Sequence, residues 1–227
     1  MPHVKHFEIN GVRAPSVNEV TGSLSLEGLI RNFYRIQGFK KADKISNAAR
    51  EQGIKLAEVF EKYRQTGKTG KISQYNTACV QNWTRWFEEQ PFEIKSDDYV
   101  EPHLVNTKDG YHGSPDVILH EGDVPVLGDD KSKKRFSDYK LIMNEHAYAM
   151  CDSIEINGVI TKLPWEPPIP TFWFWTYHPE SGRLFAVKHE FKPEVYNDFL
   201  TCKAMGVVNK RSEKYFGQYA VLLPEEG

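Results

Sequence analysis

The chain has little cysteine. Cys79, Cys151 and Cys202 are three widely spaced thiols in 227 residues. An odd, unpaired set excludes a disulfide framework and a cysteine-held zinc or iron–sulfur centre, and points to free thiols in a reducing compartment. Nowhere is there a run of about 18 apolar residues, which a spanning helix requires. The opening MPHVKHFEING lacks the apolar core of a secretory leader. The expectation is a soluble, cytoplasmic protein with no membrane partner. Net charge is scarce too: 29 Lys+Arg against 31 Asp+Glu leaves −2, so any surface for an anionic polymer must be local. There is no internal repeat, no low-complexity tract, no phosphate-cradling glycine loop and no pattern for a nucleophilic serine triad.

What the chain does have is 40% hydrophobic and 13% aromatic residues, enough for one substantial core. Asn10-Gly11 inside HFEINGVRAP signals a two-residue hairpin. SVNE is a capping box, with Ser16 as N-cap and Glu19 reaching back. Apolar periodicity predicts helices over Leu24–Phe39, Ser46 to about Arg64 and Gln74–Glu89, the second burying Ile54, Leu56, Val59 and Phe60. After Pro91 the pattern turns to strands, through FEIKSDDYVEPHLV, GYHGSPDVILHE and VPVLGDDKS, with Gly122-Asp123 at the last turn. A helix is expected from Ser137 as N-cap, closed by Asn157-Gly158. The proline-rich KLPWEPPIPT, a hairpin turned by residues 179–182 and a helix from Pro193 to about Met205 follow. This order predicts one α/β domain with a central mixed sheet flanked by helices. Residues 1–90 form its mainly helical part, 91–205 its sheet and flanking helices, and 206–227 a C-terminal tail.

Chemistry concentrates in GSPDVILHEGDVPVLGDDKSKK, residues 113–134. Asp116 begins one strand and Asp129 nears the end of the next. Alternation in a strand points Asp129 and Lys131 one way and Asp130 the other. Two carboxylates meeting at a sheet end suit Mg²⁺ or Mn²⁺, which prefer oxygen donors. A lysine beside them can orient or help deprotonate water, or counter a phosphate's charge. Asp-Asp-Lys round a cation is a phosphodiester-hydrolysis constellation. The same charges also suit a solvated surface, and spacing alone leaves both readings open.

GSPDVIL…VLGDDKS resembles the PD-(D/E)XK nuclease superfamily, and more closely its RecB-like and phage recombination exonuclease branch. Gly113, Asp116, Asp129, Lys131 and Ser132 match that pattern position by position. APSVNEV is similar to the branch's opening motif. AAREQGIKLAEVFEKY is similar to its helix RG-x-x-x-H-x-x-x-E. YKLIMNEHAYAM is similar to its Q-x-x-x-Y helix, with Asn144 at the glutamine and Tyr148 at the tyrosine. The resemblance implies a restriction-endonuclease-like core and a Mg²⁺- or Mn²⁺-dependent DNA exonuclease of recombination or repair. Asp116, Asp129 and Lys131 would be catalytic. The metal would rest on Asp116, Asp129, the Asp130 carbonyl and Glu61, and DNA would meet Ser132, Lys133, Lys134, Arg135, Asn144 and Tyr148. Relatives often work with a single-strand annealing protein. The family's metal-binding histidine would fall at Ala57, which cannot serve. Glu61 sits at the family's glutamate, and Glu58 lies one turn earlier; a solvated helix face accounts for both equally well. Asn144 is one methylene short, and the cysteines of iron–sulfur relatives are missing, so no such cluster is expected.

Three other features carry weaker signals. The run Lys131, Lys133, Lys134 and Arg135 lies where a phosphate backbone would pass. Lys210, Arg211 and Lys214 beside Tyr215 and Phe216 fit either a contact for unwound strand or a solvated tail. Trp173 and Trp175 alternate with Phe172 and Phe174, which predicts packing on one face and cover from the proline loop on the other. His112, next to Gly113, fits either an approach to the site or a structural or exposed loop position. Besides the exonuclease, two readings stay open: a non-catalytic DNA-binding or assembly module of the same fold, favoured by Ala57, and an endonuclease.

Overall fold

The computed structural model describes residues 7–22, 35–72, 76–132, 139–178 and 182–216. Its first element is the hairpin of β1 (Phe7–Ile9) and β2 (Val12–Ala14). Asn10 (φ 53°) and Gly11 (φ 75°) take the left-handed conformations that a two-residue turn needs. Ser16 caps α1 (Val17–Thr21) by accepting the Glu19 N–H at 3.1 Å. Glu19 itself takes a bond from Arg13 at 3.3 Å. Most of the helix predicted over Leu24–Phe39 lies outside the described residues.

Helix α2 (Phe39–Thr66) begins well before the predicted Ser46 and ends at Gly67, φ 67°, whose N–H caps Tyr63 O at 2.7 Å. Its buried stripe is Leu56, Phe60 and Arg64, spaced by four as one helical face requires. Ile54 falls off that stripe and is 48% exposed, correcting the predicted face. Helix α3 (Thr77–Glu88) buries Cys79, Val80 and Trp83.

The central sheet runs β11-β10-β7-β6-β3, from β3 (Phe92–Glu93), β6 (Val117–Glu121), β7 (Val124–Ser132), β10 (Thr171–His178) and β11 (Arg183–Glu190). Only β7 and β10 pair in parallel, so the sheet is mixed as expected. A parallel pair needs a long crossover. Here it carries α4 (Tyr139–Ala149) and part of a second sheet, ordered β5-β4-β8-β9. That sheet comprises β4 (His103–Asn106), β5 (Tyr111–Gly113), β8 (Ser153–Ile156) and β9 (Val159–Lys162). The predicted helix through Asn157-Gly158 is thereby corrected. Both residues have positive φ, 53° and 84°, and turn the β8–β9 hairpin; Asn-Gly serves a hairpin turn as well as a helix end. Helix α5 (Pro193–Phe216) outruns its predicted end, so the expected tail is helical through 216. Among the described residues no helix is long and apolar enough to cross a membrane.

Helices cover both faces of the central sheet. Ile118, Leu127, Phe172 and Phe174 pack with α4 and α5 residues such as Ala147, Tyr148 and Phe199. Val117, Leu119, Val126 and Trp175 pack with Leu56, Phe60, Val80 and Trp83 of α2 and α3. Helix α3 covers the tryptophan face, where Trp86 meets Trp173 and Trp175 at 5.4 and 5.7 Å, and the proline loop adds Leu163 and Ile169 to the cluster of Phe172 and Phe174 on the other face. Gly128 lets this face close, because a Cβ there would collide with the Trp175 ring and Val117.

Candidate active site

Strand register assembles the site. Val117 of β6 faces Gly128 of β7, so one step outward sets Asp116 opposite Asp129 on the same face. Lys131 shares that face: its Nζ donates to Asp129 at 2.5 Å and lies 4.0 Å from Asp116 Oδ2. Asp116 Oδ2 also accepts the Asp130 N–H at 2.5 Å, tying the carboxylate to the neighbouring strand. The structure therefore brings Asp116, Asp129 and Lys131 together, although Asp116 immediately precedes β6 instead of opening it.

A fourth group completes the cluster. Glu145 of α4 is 1% exposed, lies against Asp129 and faces Lys131 and Asp116, and its Oε2 has no hydrogen-bond partner among the described residues. Three carboxylates thus share one ammonium. Burial pushes Asp129 up to about 8, with Lys131 opposing and Asp116 adding to the rise. Burial and the Asp129 charge hold Glu145 well above the carboxylate range. Burial alone would lower Lys131, but Asp129 and Asp116 outweigh it and keep the ammonium charged. Three crowded carboxylates, two of them pushed toward the neutral form for want of positive charge, make an oxygen-rich site that fits a divalent cation. Among the described residues no three His, Cys, Asp or Glu groups already close on one point; Lys131 stands among the acids as the resident cation.

Asp130 points to the opposite face, into a buried ion pair with Arg64 of α2. The Arg64 guanidinium lies 5.1 Å from the Trp83 ring and 5.7 Å from that of Trp175. Burial raises Asp130 to about 6 despite Arg64. Glu61 is half-buried one turn before Arg64 and accepts from Gln65 at 3.3 Å. Glu101, at φ 50°, donates its N–H to Asp116 O at 2.9 Å. Its carboxyl is raised by burial, then by the Glu61 and Asp116 charges. Glu58 is exposed and Ala57 half-buried.

Asn144 and Tyr148 are both 4% exposed. The Asn144 amide is engaged inside the protein, accepting from Thr21 at 2.8 Å and donating to Asn18 at 2.9 Å. Tyr148 packs so closely on Gly113 that a Cβ there would overlap its ring. Ser132 pairs with Tyr177 through its backbone; its side chain, like Lys133, Lys134 and Arg135, lies outside the described residues. So do the side chains of Lys210, Arg211, Lys214, Tyr215 and Phe216, which ride on α5. His112 bonds His103 at 2.8 Å on the second sheet and takes no part in the cluster.

Sequence reasoning passed over Glu145, Arg64 and Glu101. An acid inside the otherwise apolar LIMNEHAYAM was the available signal for Glu145. Arg64 ends a predicted amphipathic helix, where arginine is ordinary, and nothing local marked Glu101.

No protein-family model matches the chain, and no curated protein does. Among solved structures it is similar to LHK-Exo, an alkaline exonuclease from Laribacter hongkongensis. Two crystal structures of that protein, one in complex with dAMP, align at TM-score 0.40 and 16% identity, over 74% of this chain and 85% of that one. A likeness so distant settles nothing about the cluster, whose chemistry rests on this chain's own residues.

Proposed function

We propose that the chain is one Mg²⁺- or Mn²⁺-dependent nuclease domain that degrades DNA from its ends. The observation that supports this reading is the meeting of Asp116, Asp129 and Lys131 at one end of the β6–β7 pair. Asp116 and Asp129 would hold the cation, with the Asp130 carbonyl beside them and Glu61 on the rim. The ion supplies a Lewis acid for a phosphoryl oxygen and an acidified water. Lys131, kept protonated by its acidic neighbours, orients that water and counters phosphate charge; it does not serve as the base in this state. The run from Ser132 to Arg135 continues from the same strand end and would meet the phosphate backbone.

End-labelled linear duplex and a covalently closed circle, each with Mn²⁺ or EDTA, test the reading together. The linear DNA is expected to be digested only with metal, and the circle to survive. Lys131→Ala should slow digestion at least about 100-fold. A variant as fast as its parent removes the assignment, and nicking of the circle makes the protein an endonuclease. Ala57 favours one further reading, a nuclease fold retained for DNA binding or assembly. Calorimetry showing no Mn²⁺ uptake at millimolar concentration would support that alternative.

A further inference from the structure

The helical wall of the cluster holds a carboxylate that the strand residues do not explain. Glu145 lies in α4 between two buried, tethered neighbours. Asn144 is held by Thr21 and Asn18, and His146 Nδ1 bonds Ile142 O at 2.7 Å. Glu145 is 1% exposed, it rests against Asp129, and its Oε2 has no partner among the described residues. Buried charged or polar atoms are ordinarily paired, and a fully buried glutamate is rare without a partner. Among the described residues, the two cations packed against this strand pair are already committed. Lys131 is held by Asp129 at 2.5 Å, and Arg64 is paired with Asp130 on the other face of the sheet.

We infer that Glu145 is a cation-binding residue, the carboxylate that α4 adds to Asp116 and Asp129 when Mg²⁺ or Mn²⁺ is held at this site. The inference rests on the proposed reading of Asp116 and Asp129 as holders of the cation. Its chemistry is that of a hard ion: small divalent cations take carboxylate oxygens and water. An unpartnered oxygen beside two further carboxylates is the donor that suits such an ion. Glu61 approaches from α2 and Glu145 from α4, so the two acids would serve different sides of the ion.

The test needs no DNA. Glu145→Gln keeps size and shape and removes only the charge. Mn²⁺ titration calorimetry and thermal unfolding in EDTA and in Mn²⁺ are measured on the parent and the variant, with cleavage of linear duplex by the parent alongside. The variant is expected to bind Mn²⁺ about 10–100-fold more weakly, to unfold in EDTA no earlier than the parent, and to gain less from Mn²⁺. A residue serving only packing would lower the unfolding temperature in EDTA and leave metal affinity alone. If the variant binds Mn²⁺ like a parent that cleaves, the inference falls and the nuclease reading stands. If the parent neither binds Mn²⁺ nor cleaves, both fall. Should Glu145→Gln fail to fold, Glu145→Asp is read by the same titration. Withdrawing the carboxylate by one methylene must then weaken Mn²⁺ binding several-fold, and parent-like affinity overturns the inference.

Discussion

Arg64 and Asp130 show what burial does to a pair of charges. Each side chain is 2% exposed, so the pair has lost its hydration and lives on mutual attraction and on the indoles of Trp83 and Trp175. Removing one partner strands the other. Arg64→Met is therefore expected to cost about 3–5 kcal/mol of unfolding free energy in urea titrations. Arg64→Met with Asp130→Leu should recover most of that loss, because buried pairs often exchange for apolar ones at little cost. Glu61 sits in a milder setting, half-buried and electrostatically coupled to Glu101. Glu61→Gln is expected to raise the Mn²⁺ concentration that gives half-maximal digestion. Glu58→Gln, altering an exposed side chain, should leave that concentration unchanged. Parent-like metal dependence in both variants and in the double would show that α2 supplies no ligand. Of these residues, Asp130 and Glu61 were legible as motif positions. The partnership of Asp130 with Arg64 was not, because it joins a helix to a strand 66 residues away.

At the scale of elements, the second sheet carries an acid-sensitive feature. His103 bridges Glu155 and His112 at 2.8 Å on each side, and the Phe7 ring packs on both imidazoles. Burial, then His103, lowers His112 to about 4, with Glu19 opposing. The His103 hydrogen bond lowers Glu155 in turn. Both groups have folded-state values below their unfolded ones, so the unfolded chain binds more protons as the pH falls. Stability from His112 is complete above about 6.5 and is lost progressively toward about 4. The urea midpoint should fall over that window. His112→Gln should flatten the decline, and an unchanged slope would show that this imidazole is not its source. Asn157-Gly158 on the same sheet explains one misreading. The dipeptide favours a tight turn wherever it lies, and only the pairing of β8 with β4 decides that strands surround it.

In the whole molecule, the central sheet separates two cores, and the acidic cluster sits on the α4 side of the seam. Its crowded carboxylates, two of them pushed toward the neutral form, are what the proposed cation would relieve. A ligand that binds only the folded state adds stability with its concentration, about 2.7 kcal/mol at 100 times Kd. For a chain of 227 residues that corresponds to a rise of about 5–10 °C in Tm. Millimolar Mn²⁺ is expected to give such a rise in differential scanning fluorimetry, and EDTA to reverse it. A chain carrying both Asp116→Asn and Asp129→Asn should show none. An equal shift in that variant would place the binding elsewhere.

Local rules acting within a few residues were enough to determine much of this protein. Asn10-Gly11 dictated a hairpin, Ser16 a helix start, and the alternation of β7 sent Asp129 and Lys131 one way and Asp130 the other. Those are consequences of backbone geometry, which sequence carries directly. The tertiary structure decided which distant groups share a space. It set Asp116 opposite Asp129 through strand register, laid α4 across them so that Glu145 is buried with one oxygen unmet, and drove Arg64 under the sheet to Asp130. Burial and desolvation turn ordinary acids and bases into a charged site. They depend on what packs above a side chain, which no stretch of sequence specifies by itself.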